Sequence, residues 1–462
     1  MQTVWSGKNV LIIGAARQGL ALARYFVRHG AAVVINDKRS QDQLSSEMKD
    51  AANLPIEWVL GNHSPTILER RPDLVCVSGG IPIQNPIVVA AIEENIPLTN
   101  DTEIFLKAAP CKTIGITGSA GKTTTTSLVG RIAKYDTENN YRKIWVGGNI
   151  GDPLLNYVDE MDPDDLAILE ISSFQSELIS VSPNIGVILN ITPNHLDRHG
   201  KMENYIAAKS RVIRFQNSKD IAVLGRDDPN SWALSEGIPS HLFSFGFSPL
   251  QKGQDGSFVE EGKFYFSQNN KITAIPVEKH IELRGNHNRL NALAACTIAY
   301  VAGFGIEAMI AGISGFQGVL HRLEFVRHWH GTDWFNDSIA TAPERTIAAI
   351  RSFDQPLILL LGGRDKNLPW QDLAELIHER VDHVIIFGEA GDKIESAIGI
   401  TNSGRRPFSI NRVKKCQDAV NYAAQLANEG FVVLFSPGGT SYDEFKDFEE
   451  RGDMFKKWVL EF

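Results

Sequence analysis

Short apolar runs rich in β-branched residues recur along this chain, and most are followed by a stretch with helical spacing. In the first hundred residues NVLIIG, AVVIND and DLVCVS are such runs, and GLALARYFVRHG lies between the first two. Strand and helix in alternation predict a parallel sheet with crossover helices. Between 105 and 317 the runs TIGIT, KIWVGGN, LAILEI, IGVILNI and IAVLG read as buried parallel strands. The texture then changes. GSFVEEGKFYFSQNNKITAIPV alternates and turns at QNN, which predicts a small antiparallel appendage. NHNRLNALAACTIAYVAG follows as a helix closed by Gly303. From 318 onward PLILLLGG, HVIIFG and GFVVLFSPGG are strands, and PERTIAAIRSF, WQDLAELIHERV and DAVNYAAQLANEG are helices. Thr341-Ala342-Pro343-Glu344 fits a capping box, which puts the start of the first of these helices at Thr341.

The pattern therefore predicts an α/β protein of three domains. Residues 1–104 form a Rossmann-like unit, 105–317 a central unit with the antiparallel appendage, and 318–462 a second Rossmann-like unit. A length of 462 residues agrees with that count. The net charge of −9 argues against nucleic acid or an anionic membrane as a partner, while leaving room for a local basic pocket. Cys76, Cys111, Cys296 and Cys416 lie far apart with no CxxC pair, so a disulfide framework or thiolate zinc site is not expected. The N-terminal apolar run VLII is too short for a signal peptide, and no run of 18 apolar residues offers a membrane span. A cytoplasmic protein without membrane insertion is expected.

The first turn reads Gly14-Ala15-Ala16-Arg17-Gln18-Gly19, with Asp37 ending the next strand. This is close to the GxGxxG fingerprint, but Ala16 replaces the middle glycine, the one that lets a pyrophosphate approach the backbone. A nicotinamide cofactor, another nucleotide-like ligand and a purely structural turn all stay open on these residues.

TIGITGSAGKTTTTSL, residues 113–128, carries a sharper signal. Gly118, Ser119, Ala120 and Gly121 can expose amide groups at a helix start, where the helix dipole also stabilises phosphate charge. Lys122 can reach the β- and γ-phosphates, and Thr123, followed by Thr124, can ligate Mg²⁺ through its hydroxyl. Ile116 stands where the first glycine of GxxxxGK[ST] belongs, so the motif is the shorter GxxGKT between a strand and a helix. ATP or GTP binding is expected; the plain alternative is a glycine-rich turn beside a surface lysine. LAILE brings Glu170 to a strand end, where a phosphate-loop protein keeps its metal acid. The next strand leads into NITPNHLDRHGKMENYIAAKSR, with His195, Asp197, His199 and Lys209. On chemistry alone the cluster behind the strand tip suggests catalysis, whereas Lys209 reads as a solvated helix residue.

Taken in order, TGSAGKTTT, GGNIG (147–151), LEISSFQ (169–175), NITPNHLDRH (190–199), HNRLNALAA (287–295), HRLE (321–324), NDSIAT (336–341) and FSPGGTSYDEFKDFEERGDMF (435–455) resemble the Mur ligase family over nearly the whole chain. These are ATP-dependent amide ligases of peptidoglycan precursor synthesis. SSFQ and the closing SxDxFxxFxxRG-like pattern are similar to the member that adds D-glutamate to UDP-N-acetylmuramoyl-L-alanine, and the DNPR motif of the diaminopimelate- or lysine-adding member is missing. Folylpolyglutamate synthetase shares the central loop but lacks an N-terminal nucleotide-sugar domain.

The resemblance implies roles. Gly118, Ser119, Ala120, Gly121, Lys122, Thr123 and Thr124 would hold ATP, with Asn288 and Asn291 at the adenine; helix capping is the alternative for those two. Arg322 and Asp337 would meet ATP as the third domain closes over the second. Thr123, Glu170, His195 and Lys209 would serve two magnesium ions, with Lys209 carbamylated by CO₂, and Lys122, His195 and Lys209 would be the catalytic set. Arg17, Gln18, Asp37, Lys38, Arg39 and Ser78 would bind the uridine nucleotide, with Asn149, Ser172 and Gln175 at its sugar-peptide end. Thr341, Lys366, Ser441, Tyr442 and Phe448 would bind D-glutamate; for Ser441 and Tyr442 the alternative is turn chemistry. A monomer acting on these three small substrates is implied. Two positions depart from the pattern: Ile339 stands where a lysine is usual, and SGGIP at 78–82 replaces the more usual SPGIP, with Gly79 loosening the turn. A regulator that binds ATP without chemistry and a dehydrogenase built on the first unit are the competing functions. Glu170, His195 and Lys209 together disfavour the first, and Ala16 disfavours the second.

Overall fold

Three parallel-rich sheets organise the chain in the computed structural model, which describes residues 4–137, 141–283, 285–365, 368–399 and 405–462, without the side chain of Asp197. The first sheet holds β1 (Asn9–Ile13), β2 (Ala32–Asp37), β3 (Ile56–Leu60), β4 (Leu74–Val77) and β5 (Leu98–Thr99) in the order β3-β2-β1-β4-β5, all parallel. The chain leaves β1 toward one edge and returns at β4 on the other side. That reversal opens a crevice between the carboxyl ends of β1 and β4, where Gly14 and Ser78 lie.

The second sheet contains β6 (Lys112–Thr117), β7 (Ile144–Gly148), β8 (Leu166–Glu170), β9 (Ile185–Ile188), β10 (Ile221–Gly225), β11 (His241–Phe245), β12 (Gly256–Glu260), β13 (Lys263–Gln268) and β14 (Lys271–Ile275). Their order is β14-β13-β12-β11-β10-β9-β6-β8-β7. β6 thus lies between β8 and β9, and the loop that follows it emerges at a second reversal point. The predicted antiparallel ribbon is β12–β14. It turns at Asn269-Asn270, both at positive φ, as a two-residue hairpin requires. Parallel pairing of Ser244 with Gly256 makes it continuous with the main sheet.

The third sheet contains β15 (Glu324–Trp329), β16 (Thr332–Asn336), β17 (Leu357–Gly362), β18 (His383–Phe387), β19 (Ser409–Arg412) and β20 (Val432–Gly438) in the order β15-β16-β20-β17-β18-β19. Only the β15–β16 pair is antiparallel. The helix that follows β16 corrects the capping-box expectation. It spans Pro343–Ile350 with Ala342 at the N-cap and no side-chain cap bond. Pro343 at the first helical position supplies a preset φ, so the start does not need Thr341.

The chain divides into two compact units, one ending at Phe316 and one beginning at Gln317. The first contains two sheets because one apolar cluster serves both. Leu22, Tyr25 and Phe26 pack in the same cluster as Trp145, Leu154, Leu155 and Val158. Phe26 is fully buried, and each such side chain contributes roughly 1.5–3 kcal/mol. In the second unit Leu357, Leu359 and Leu361 face one cluster while Ile358 and Leu360 face another, the period-two alternation of a sheet covered on both faces. All four cysteines are free and buried. Among the described residues no helix is long and apolar enough to cross a membrane.

Candidate active site

The loop after β6 is held on two sides. Gly121 opens the helix Lys122–Tyr135 at φ +84, a left-handed conformation that glycine adopts without strain. Not all the loop amides face outward as expected. Ser119 N–H donates to the Asn190 carbonyl at 2.9 Å, and Ala120 N–H to Asn190 Oδ1 at 2.9 Å. Asn190, just past β9, satisfies donors that would otherwise be left over at a tight turn. Ser119 Oγ also donates to the Thr192 carbonyl at 2.9 Å and lies 3.0 Å from the Tyr205 hydroxyl. Lys122 Nζ donates to the carbonyls of Gly118 at 2.8 Å and Ser119 at 3.3 Å, so its charge sits over the loop. Thr123 is buried directly behind it.

Two buried ionisable groups flank this loop. Glu170 ends β8 at 2% exposure. Its Oε1 accepts from Asn149 Nδ2 at 2.7 Å, while Oε2 is buried with no hydrogen-bond partner among the described residues. An orphaned carboxylate oxygen carries a desolvation cost that a cation would offset. Lys209, on the helix Met202–Arg214, is 1% exposed. Its Nζ donates to the Gly118 carbonyl at 2.9 Å and Thr117 Oγ1 at 3.2 Å. Burial and the nearby Lys122 charge hold its pKa well below the usual lysine range, with Glu170 opposing. The sequence reading of a solvated lysine is therefore overturned.

His195 stands at φ +54, at the N-cap of the short helix Leu196–His199, with its ring 5.1 Å from that of Phe174. Asn291 Nδ2 donates to Asn288 Oδ1 at 3.2 Å, and Asn291 abuts Gly121. The N-cap of their helix is Gly285, which has no side chain to cap with.

At the crevice of the first sheet, Asp37 organises the glycine turn. Its Oδ2 accepts from Ala15 N–H at 2.8 Å, and Arg39 pairs with both carboxylate oxygens. Burial would raise its pKa, but these hydrogen bonds hold it down to about 2. Gly19 packs so closely on the Gly14 carbonyl that no side chain fits there. Gln18 Oε1 accepts from Gly79 N–H at 3.1 Å, Arg17 donates to the Gly151 carbonyl at 2.9 Å, and Ser78 is buried. Lys38 is exposed. Ser172 caps the helix Ser173–Ser176 in a capping box with Gln175. Gln175 is 1% exposed, and its Nε2 faces Asp101 Oδ2 at 3.4 Å, so its side chain braces the protein interior.

In the second unit Asp337 follows β16. It accepts from Ser436 Oγ at 2.7 Å and from Leu323 N–H at 3.2 Å. Burial lifts its pKa to about 6, while those bonds and the charges of Arg322 and Arg345 pull it down. Thr341 and Ile339 are half-buried in the same loop, and Ile339 contributes no charge. Ser441 is buried and its carbonyl accepts from Glu444 and Phe445, so turn chemistry is present there, whereas Tyr442 is 61% exposed. Phe448 begins the helix Phe448–Leu460, with its ring 6.2 Å from His321. Lys366 lies outside the described residues.

Three family models match in this order: the Mur ligase MurD-like N-terminal domain over residues 8–100, the Mur ligase middle domain over 116–299, and the Mur ligase glutamate ligase domain over 321–439. A UDP-N-acetylmuramoylalanine–D-glutamate ligase of Pelotomaculum thermopropionicum is 38% identical over 457 residues, covering 98% of this chain and 97% of that protein. The chain belongs to the Mur ligase family. A protein of the same name from Koribacter versatilis is 37% identical over 454 residues, covering 98% of this chain and 97% of its own. Among solved structures, a UDP-N-acetylmuramate–alanine ligase from Thermotoga maritima superposes with a TM-score of 0.54 at 19% identity, covering 98% of this chain and 99% of that one. At that identity the likeness concerns the fold.

Several residues that support these loops were not singled out in the sequence, and His199, which was, proves to be a buried brace. Asn190 binds the phosphate loop by its backbone and side chain together. Tyr205 lies one turn before Lys209, whose Nζ is 4.8 Å from its ring centroid. His199 is buried between Ser173 Oγ at 3.0 Å and Glu177 Oε1 at 2.9 Å. Arg451 is fully buried and donates to Ser338 and Gly439. Apart from His199, only the helical spacing of Tyr205 and Lys209 could have hinted at any of these.

Proposed function

We propose that this chain is the ATP-dependent ligase that joins D-glutamate to UDP-N-acetylmuramoyl-L-alanine in peptidoglycan precursor synthesis, working in the cytoplasm where these substrates occur. The observation that carries the reading is the gathering of Lys122, Glu170 and Lys209 about the tips of β6 and β8. Near-full-length identity to ligases of that name supports the substrates.

In this reading the helix start from Gly121 onward, with Lys122, binds the triphosphate. Thr123, Glu170, His195 and Lys209 would hold magnesium, and the orphaned Oε2 of Glu170 suits a cation. Magnesium, when bound, offsets triphosphate charge and polarises the γ-phosphate. Burial favours the uncharged amine of Lys209, the form that reacts with CO₂, which supports a carbamate there. Gln18, Ser78, Asp37 and Arg39 define the uridine pocket. Thr341, Lys366, Ser441, Tyr442 and Phe448 receive D-glutamate.

The chemistry follows from a poor electrophile. A carboxylate at neutral pH resists amines, so it first attacks the γ-phosphorus of ATP; ADP leaves and an acyl phosphate remains. Two anions must approach for that step, and Lys122 reduces their repulsion. The D-glutamate amine then adds to the acyl carbon, the tetrahedral intermediate expels phosphate, and the nitrogen loses a proton to leave the amide.

Purified protein with ATP, Mg²⁺ and UDP-N-acetylmuramoyl-L-alanine tests this directly. Phosphate release should need D-glutamate and be weak with L-glutamate or lysine. A site built for two carboxylates misplaces at least one of them in the mirror image, at about 1–3 kcal/mol per unpaired buried donor. No release with any amino acid, despite ATP binding, would refute the assignment.

A further inference from the structure

Arg198 joins two parts of the first unit that the proposed chemistry uses separately. It lies three residues after His195 in the short helix Leu196–His199. Its guanidinium carbon sits 3.9 Å from the centre of the Phe174 ring, a cation–π contact. Nη1 donates to the Gly79 carbonyl at 3.1 Å and Nη2 to the Ile81 carbonyl at 2.5 Å. These carbonyls belong to the turn after β4, the wall of the uridine crevice opposite Gly14.

The same turn is gripped from the other side. Gly79 N–H donates to Gln18 Oε1 at 3.1 Å, a bond that the more usual proline at this position could not make. A side-chain carbon on Gly14 would lie 3.1 Å from both Ser78 and Ile81, so the glycine turn and the β4 turn are already in contact. At the far end, His199 is buried between Ser173 and Glu177, just beyond Glu170 in the chain, and its N–H donates to the His195 carbonyl at 3.0 Å. A continuous path of direct contacts therefore runs from Gln18 through Gly79 and Arg198 to the His195 segment.

We propose that Arg198 is a positioning residue that couples the uridine-nucleotide pocket to the His195 segment, so that the sugar nucleotide and ATP bind cooperatively. A ligand that settles Gln18 and the Ser78–Ile81 turn fixes the two carbonyls that hold Arg198, and through it the loop beside the phosphate site. Coupling of this kind must be reciprocal, each ligand tightening the other by the same factor. The inference rests on the assignment of the two pockets above.

The test is calorimetric titration of the full chain with a non-hydrolysable ATP analogue and Mg²⁺, in the absence and presence of saturating UDP-N-acetylmuramoyl-L-alanine. In the wild-type protein the sugar nucleotide should tighten the analogue by about 5- to 50-fold, within the usual range of such coupling. Arg198→Met should bring that factor to about 1–2 while each ligand alone binds within about threefold of wild type, a pattern that mere loss of structure would not give. Arg198→Lys, which can reach one carbonyl but not both, should keep part of the coupling, and it carries the test if the methionine variant does not fold. Gly79→Ala should weaken the coupling from the other end, because its Cβ would come 2.7 Å from Gln18 Oε1. Full coupling retained in both Arg198 variants, or independent binding in the wild type, overturns the proposal. Failure of the wild type to bind one ligand at all would overturn the pocket assignment first, and the coupling with it.

Discussion

Oδ1 of Asn291 occupies the space that a side-chain carbon at residue 121 would need. Gly121 is also held at φ +84, so position 121 is closed to other residues on two independent grounds. Gly121→Ala should carry a backbone cost of roughly 1–2 kcal/mol plus the displacement of Asn291. Equilibrium unfolding of Gly121→Ala, Asn291→Ala and the double variant separates the two. The alanine at 121 should cost less in the Asn291→Ala background, by about 1 kcal/mol, because only the backbone part persists there. Additive costs would mean that the two side chains do not compete for space.

Lys209 is expected to behave as part of the chemistry. Its side chain is buried beside the Lys122 charge and donates to a carbonyl and a hydroxyl, surroundings that shift its pKa downward and favour the uncharged amine. Protein stripped of CO₂ and bicarbonate should lose activity and regain it on bicarbonate addition. Lys209→Ala should fall by at least about two orders of magnitude in turnover, the scale of one lost charge contact at a phosphoryl-transfer site. Short carboxylic acids should partly restore that variant by filling the vacated position. Bicarbonate-independent wild-type activity, measured by phosphate release, would exclude the carbamate.

What could be read in the sequence follows from the range of the forces involved. The strand–turn–helix at 113–128 was legible because its signals are local: an apolar run, a glycine that must take positive φ, and a helix-forming stretch. Glu170 was legible as a strand end for the same reason. The Thr341 capping box was misread because a proline at the first helical position fixes the start on its own. Residue chemistry alone left Lys209 a solvated helix residue, because its burial depends on β6, nearly a hundred residues away; only the family resemblance pointed to it. Asn190, Arg198 and Arg451 were invisible because each acts on backbone carbonyls or amides, which every residue has and no residue type announces.

Asp37 offers a pH test of the first unit. Its folded pKa of about 2 lies below the unfolded value of about 3.9. A depressed carboxylate adds stability above the unfolded pKa and loses it as pH falls through the folded one. Asp37→Asn should therefore be less stable than wild type by ~1–2 kcal/mol at pH 6, with the gap narrowing between about pH 4 and pH 2. Denaturant unfolding at a series of pH values gives both numbers. A gap that does not change with pH would place the effect in shape rather than in charge.

Arg451 presents the opposite situation, a buried cation with no carboxylate hydrogen-bonded to it among the described residues. Its Nε donates to Ser338 Oγ at 3.0 Å, Nη2 to the Ser338 carbonyl at 2.9 Å and Nη1 to the Gly439 carbonyl at 3.1 Å. Burial lowers its pKa to about 10, which still leaves it charged at neutral pH. The three acceptors belong to the loops after β16 and β20, which carry Asp337, Thr341 and Ser441. Removing the guanidinium orphans the Ser338 and Gly439 carbonyls, at about 1–3 kcal/mol for each buried acceptor, while Ser338 Oγ keeps its bond to the Phe448 carbonyl and relief from burying a charge returns part of the cost. Arg451→Met should destabilise the second unit by roughly 2–4 kcal/mol net. Arg451→Lys has a single nitrogen head and cannot span both loops, so it should recover stability only in part. Because the loops it ties would hold the amino acid, the lysine variant should raise KM for D-glutamate several-fold more than KM for UDP-N-acetylmuramoyl-L-alanine, whose proposed pocket is in the first unit. Equal rises in both KM values would show that the damage is global, and an unchanged KM for D-glutamate would show that the loops keep their geometry without the arginine.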